Sequence, residues 1–265
     1  NLSAAVQAAQ DAVACAPESG LARARLAELR MSTAEPDKGI QDARKAVELD
    51  PDTAHAHTIL GFAHLTRIET EAARKAFERA IALDSAAPLP RLGLGLAEIR
   101  DGNLEAGRSE IEIAAGLDPG NALIRSYLGK AYFDEKRGPR DTEQFEIAKS
   151  LDPNDPTPWF YDAIRKQTEN RPVEALQDLQ KSISLNDNRA VYRSRLMLDQ
   201  DLAARSAAVG QVYNDLSFQE LALREGARSL GYDPTDYSAH RLLADIYAGR
   251  QRYEIARVSE LLQSQ

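Results

Sequence analysis

The sequence predicts an all-α protein, built as a right-handed superhelical solenoid of antiparallel helix pairs. Three observations predict it. Short motifs, "ELDP", "ALDS", "GLDP", "SLDP" and "SLND", end at Pro51, Ser85, Pro119, Pro153 and Asp187, each 34 residues after the last. A fixed period of roughly 20–50 residues is the mark of stacked supersecondary units, because one such unit cannot bury its apolar face alone. Within each period the apolar residues fall into two runs at helical spacing. Small residues recur at the same offsets, where two helices of a pair would cross.

The units follow in order from this phase. Ala5, Ala9, Ala12 and Pro17 sit where the second helix of an earlier unit would place them, so residues 1–19 are expected to be that helix. Five complete units cover residues 20–189: Gly20–Thr53, Ala54–Ala87, Pro88–Asn121, Ala122–Asp155 and Pro156–Arg189. In Ala54–Ala87 the first helix reads "AHAHTILGFAHLTR" and the second "EAARKAFERAIALD". Gly61 and Ala73 are small at the crossing, Leu60 and Phe77 fill the space between helices, and Ala80 faces the next unit. The same offsets hold Leu94, Gly95 and Gly107, then Leu128, Gly129, Tyr132, Phe145 and Ala148, then Trp159, Ala163 and Ala175. In Ala122–Asp155, Gly138-Pro139 and Asp141 predict a shortened second helix, since proline is tolerated only in the first turn. In Pro156–Arg189, Asp162 takes an apolar position, and a less regular first helix is expected.

After Asp187 the next closing proline is Pro234, which leaves an addition of 13 residues, placed at 190–202. It is expected to be a spacer loop or a longer helix, with a binding element as the alternative. Residues 203–265 form two further units, Ala203–Asp236 with Val209, Gly210, Tyr213 and Ala222, and the incomplete Tyr237–Gln265 with Leu243, Ala244, Tyr247 and Ala256. Solenoids normally end in polar capping units. Neither end here has that character, so a piece of a longer protein is expected, with self-association through the uncapped ends as an alternative.

Composition narrows the function classes. A net charge of −8 argues against nucleic acid as a partner, since phosphate binding needs a basic stripe, and against adhesion to anionic lipid. The one cysteine, Cys15, excludes an internal disulfide framework, and its place late in an amphipathic helix predicts buried packing. No apolar run reaches the roughly 18 residues of a membrane span, and the first residues lack the basic region of a signal peptide. His55, His57 and His64 share a helix without Cys, Asp or Glu at ligand spacing, so packing is expected and no metal. The aspartates of the Leu-Asp motifs are expected to serve only the turns between units. Phosphate loops, nucleophile elbows and HExxH are absent, so neither catalysis nor a cofactor is expected.

The recurring Leu-Gly, Tyr, Ala-x3-Phe and closing Pro positions resemble the tetratricopeptide repeat family, whose pattern is W-x2-L-G-x2-Y, A-x3-F-x2-A and a final P. The resemblance implies that the first helices line a concave groove selecting a protein or peptide partner, with the second, fifth, ninth and twelfth positions of each unit facing it. These are His55, Thr58, Phe62 and Leu65; Leu89, Leu92, Leu96 and Ile99; Leu123, Ser126, Lys130 and Phe133; and Thr157, Phe160, Ile164 and Gln167. The Lys, Asn and Arg set by which chaperone-type members clamp a terminal carboxylate is absent. An apolar groove suits an amphipathic helix or an extended apolar peptide. Polysaccharide is the alternative ligand, but Leu and Ile outnumber the aromatics. The last third of the chain resembles the tetratricopeptide region that precedes an outer-membrane β-barrel in Gram-negative envelope proteins. That resemblance implies a periplasmic domain that recruits partners or guides cargo to the barrel; a cytoplasmic scaffold is the alternative.

Overall fold

A computed structural model describes residues 2–31, 33, 35–185 and 198–249. Among these, every regular element is an α-helix: α1 (Leu2–Cys15), α2 (Gly20–Met31), α3 (Pro36–Leu49), α4 (Ala54–Thr66), α5 (Thr70–Leu83), α6 (Pro88–Arg100), α7 (Leu104–Leu117), α8 (Ala122–Asp134), α9 (Arg140–Leu151), α10 (Pro156–Thr168), α11 (Pro172–Ser184), α12 (Leu198–Asp215), α13 (Gln219–Tyr232) and α14 (Tyr237–Gly249). The chain divides into two compact units, residues 1–201 and 202–265. The fold is an all-α repeat solenoid.

In the first unit each even-numbered helix packs on the odd-numbered helix that follows it, and α2 on α4, α4 on α6 and α8 on α10 also touch. Small side chains let the pairs close. A Cβ added at Gly95 would lie 2.6 Å from the carbonyl oxygen of Gly107, so α6 and α7 meet backbone to backbone. The ring of Phe77, fully buried, fills the notch between Gly61 of its own pair and Gly93 of the next. Phe145 fills the matching notch beside Gly129. Burial of these two rings stabilises by roughly 1.5–3 kcal/mol each.

The turn inside each pair repeats one backbone device. Ile68, Gly102, Lys136, Asn170 and, in the second unit, Ser217 all have positive φ, between 57° and 92°. Each ends a first helix, and the next residue's N–H bonds back five residues, as from Glu69 to His64 O at 3.0 Å and Arg137 to Tyr132 O at 2.8 Å. This pattern satisfies carbonyls that a helix end leaves unpaired. The turns between pairs use the Leu-Asp motif: Asp50, Asp84, Asp118 and Asp152 are the C-caps of α3, α5, α7 and α9. His57 Nε2 pairs with the carbonyl of Pro51 at 2.8 Å, Arg125 Nε donates to that of Pro119 at 3.1 Å, and in the second unit His240 Nε2 pairs with that of Pro234 at 2.8 Å.

The second helix of Ala122–Asp155 is short, α9 having 12 residues against the 14 of α3, α5 and α7. The irregular helix expected at Asp162 does not occur. α10 is an ordinary 13-residue helix, because surrounding cations neutralise the buried carboxylate. Cys15 is exposed, not buried. α1 packs on α2 through Ala9, Leu26 and Leu29, with Ala5, Val6 and Val13, which points Cys15 away from that contact. Of the added stretch at 190–202, residues 198–202 open α12, and the rest lies outside the described residues. In the second unit Ala222, Leu242 and Ile246 form the core with Tyr213 and Leu223 against it. Ser229 Oγ there donates to Ala203 O at 2.8 Å, as Ser182 Oγ does to Pro156 O at 2.9 Å in the first unit.

Candidate functional site

An open groove of about 1360 Å³ lies in the first unit. Its walls come from the first helices α4, α6 and α8, whose apolar residues exceed what pairing with α5, α7 and α9 can cover. Among the residues singled out from the sequence, His55, Thr58, Phe62, Leu65, Leu89, Leu92, Leu96, Ile99, Leu123 and Lys130 line it. Leu92 and Leu65 are nearly enclosed, at 2% and 7% exposure, while Phe62, Leu89, Leu96, Ile99 and Leu123 are half-buried and present apolar surface to the groove.

Phe133, Phe160 and Ile164 are half-buried outside this lining. In their place Tyr161, one residue beyond Phe160, closes one end. Its ring lies 5.8 Å from that of Tyr127 and 5.4 Å from that of Phe160. The shift is helical geometry: one residue along an α-helix turns the side chain by about 100°. Tyr127 and Tyr161 occupy the sixth position of successive units, so their 34-residue spacing was a usable signal. Glu28 and Met31 of α2 close the other end, and Glu28, only 2% exposed, pairs with Arg25.

The groove also has polar members. Along the turns between pairs run Asp84, Asp118 and Asp152 with Asn121. These aspartates were expected to serve the turns alone; they do cap those turns, and they also edge the groove. At the far ends of the first helices Arg100 donates from Nη1 to the Leu65 carbonyl at 2.9 Å, and within the groove Lys130 pairs with Asp134 and lies 5.9 Å from the Tyr161 ring centre.

A second polar centre lies between α9, α10 and α11. The Asp162 carboxylate, 1% exposed, receives Lys149 at 2.5 Å, Arg165 at 2.6 Å and Lys166 at 3.1 Å. Burial raises this carboxyl, but the hydrogen bond and charge of Lys149, with Arg165 and Lys166, outweigh it and hold the group below the usual carboxylate range. Asp178, paired with Lys166, goes the other way: burial dominates and pushes it up. Lys149 also sits 4.7 Å from the Trp159 ring centre. Sequence periodicity marked Asp162 only as a misfit, because its cations lie on a neighbouring helix and on the next turn of its own.

His64 is buried, its Nδ1 2.6 Å from Glu69 Oε2, and His57 is tied to Pro51, so both serve packing and turns. Among the described residues no group of three or more His, Cys, Asp or Glu could hold a metal ion. No helix among them is long and apolar enough to cross a membrane.

A helical-repeat solenoid with a groove along its first helices defines a class of scaffold proteins. Residues 24–88 and 92–156 match the tetratricopeptide repeat family, so this stretch is built of tetratricopeptide repeats. No curated protein sequence matches it. Among solved structures it is similar to a chain of the APC/C hetero-tetramer Cut9-Hcn1, with a TM-score of 0.79 and 16% identity over 93% of this chain; this chain spans 46% of that one. A tetratricopeptide repeat protein from Parabacteroides merdae gives 0.61 at 17% identity, over 74% of this chain and 77% of that one. Pseudomonas aeruginosa pilF gives 0.57 at 19% identity, over 86% and 98%. At these identities the likeness is one of fold.

Proposed function

We propose that the chain is a non-catalytic scaffold that holds an apolar or amphipathic segment of a partner protein against α4, α6 and α8. Tetratricopeptide repeats in general serve protein–protein interaction. One observation carries the reading for this chain: Phe62, Leu89, Leu96, Ile99 and Leu123 present half-buried apolar surface to one open groove of about 1360 Å³. An α-helix with side chains is about 10–12 Å across, and helix-in-groove recognition uses anchors at i, i+3, i+4 and i+7. Aliphatic residues dominate the wall, and Phe62, Tyr127 and Tyr161 are its aromatic members, which favours a peptide over a polysaccharide.

Isothermal titration of a synthetic leucine-stripe peptide against the parent and a Leu89→Asp/Leu123→Asp variant tests the proposal. Both residues are half-buried, so the variant keeps its helices, whereas Leu92 belongs to the core. Binding with negative ΔCp, weakened about tenfold or more in the variant, is expected. Equal affinities with intact helicity would discard the groove. For location we propose the periplasm, supported by the resemblance of the last third of the chain to envelope tetratricopeptide regions. Recovery of the native protein with cytosolic markers after osmotic shock would reject that setting.

A further inference from the structure

We infer that the buried Lys149–Asp162 pair is a positioning device, which fixes the rotation of α10 on α9 so that Tyr161 stands against Tyr127 in the groove. The inference concerns the wall of the groove proposed above, and its test reads Tyr161 directly, without a ligand. Both charged residues replace apolar ones of the repeat. Asp162 stands at the offset of Leu26, Leu60, Leu94 and Leu128, and Lys149 at that of Val47, Ile81, Ala115 and Ile183. At two other joints between pairs these offsets share an apolar cluster, Ile81 with Leu94 and Ala115 with Leu128. Between α9 and α10 the exchange is matched: a cation and a carboxylate stand in for two aliphatic side chains.

Cohesion alone does not account for the exchange, because replacing a buried ion pair by apolar side chains of similar volume is often neutral or stabilising. What the pair adds is direction. Apolar contact follows buried area and lets one helix turn against another, whereas a charge-assisted hydrogen bond holds only in a narrow geometry. Lys149 Nζ lies 2.5 Å from Asp162 Oδ2 and 3.0 Å from Glu146 Oε1, with the Trp159 ring centre at 4.7 Å. Asp162, 1% exposed, also receives Arg165 and Lys166 from its own helix. Lys166 in turn pairs with Asp178, which ties α10 to α11 as Arg30 with Asp42 ties α2 to α3. Tyr161 is the residue immediately before Asp162. Turning α10 by one residue, about 100°, would take its ring out of the groove. With Asp162 pinned, that ring lies 5.8 Å from the ring of Tyr127.

A Lys149→Ile/Asp162→Leu variant restores the apolar joint of the other repeats, and it leaves Arg165 with Glu169 and Lys166 with Asp178. Fluorotyrosine in place of Tyr161 reports on that ring by fluorine NMR. Tyr127→Leu, added in each background, shows whether the two rings touch. In the parent the Tyr161 resonance is expected to be single and to shift when Tyr127 is replaced. In the double variant the urea midpoint is expected to be equal or higher, while the resonance broadens or splits and its response to Tyr127→Leu is lost. Lys149→Arg keeps the cation and is expected to retain the parent spectrum. A double variant whose Tyr161 resonance still responds to Tyr127→Leu as in the parent would overturn the inference, because Tyr161 then keeps its place without the pair. Loss of helicity in the double variant overturns it as well, since the pair then supplies cohesion and not direction. Both results leave the groove to the peptide titration above, so the two readings fail separately.

Discussion

Adding one methyl group at Gly95 and at Gly116 should shift stability in opposite directions. Both lie in helices, and Gly→Ala inside a helix gains about 0.8–1 kcal/mol of intrinsic propensity. At Gly116 an added Cβ meets nothing within 4 Å, so that gain stands alone. At Gly95 the Cβ would lie 2.6 Å from Gly107 O and 2.6 Å from Ile111 Cγ1. Ordinary contact begins near 3.4 Å, so α6 and α7 must separate by nearly an ångström. The obstacle is helix backbone, which cannot rotate aside as a side chain can. Overpacking of this kind costs about 1–3 kcal/mol, and the site belongs at the upper end, leaving a net loss of about 2 kcal/mol. Urea titration followed by circular dichroism reads both, with the midpoint falling for Gly95→Ala and rising for Gly116→Ala at unchanged slope. A Gly95→Ala protein as stable as the parent would refute the close crossing and the register that places Gly95 against Gly107.

Three other expectations follow from named groups. Asp162→Asn leaves Lys149, Arg165 and Lys166 around a neutral amide and should cost about 3 kcal/mol at neutral pH. Because this carboxyl is depressed in the folded chain, its contribution is complete above its ordinary value and lost as pH falls through the folded one. The parent–variant gap should therefore be wide at pH 7 and close in strong acid; a pH-independent gap in denaturation midpoints would contradict the ion cluster. Ile68 is a β-branched residue at φ 62° with 67% exposure, so Ile68→Gly relieves strain without losing packing and should stabilise by about 0.5–1 kcal/mol in thermal melts. Cys15 should react with a maleimide in the native state as fast as in urea, and protection that disappears only on unfolding would show a buried thiol.

What was legible in the sequence was whatever repeats. The 34-residue phase placed the starts of α2, α4, α6, α8 and α10 at Gly20, Ala54, Pro88, Ala122 and Pro156, because helix spacing and small crossing residues are local and periodic. The left-handed turn residues were less visible: among Ile68, Gly102, Lys136, Asn170 and Ser217 only Gly102 and Asn170 are of types that favour positive φ, so residue preference does not mark the other three. Groove residues on α4 and α6 follow the repeat positions, whereas on α10 the lining passes from Phe160 to Tyr161 through a single-residue rotation. Asp162 looked like a defect because the Lys149 that compensates it sits in another helix. Cys15 looked buried because amphipathic spacing does not say how much of a helix its neighbours cover.

Site-resolved crosslinking tests the central claim most directly. A benzophenone on the stripe of the synthetic leucine-stripe peptide is activated on the bound complex, and mass spectrometry locates the attachment. The account predicts adducts at Phe62, Leu89, Leu96, Leu123 and Tyr127 in the groove. Adducts confined to exposed apolar residues outside it, such as Ile68, Leu104, Ile113, Leu117 or Val173, would contradict it.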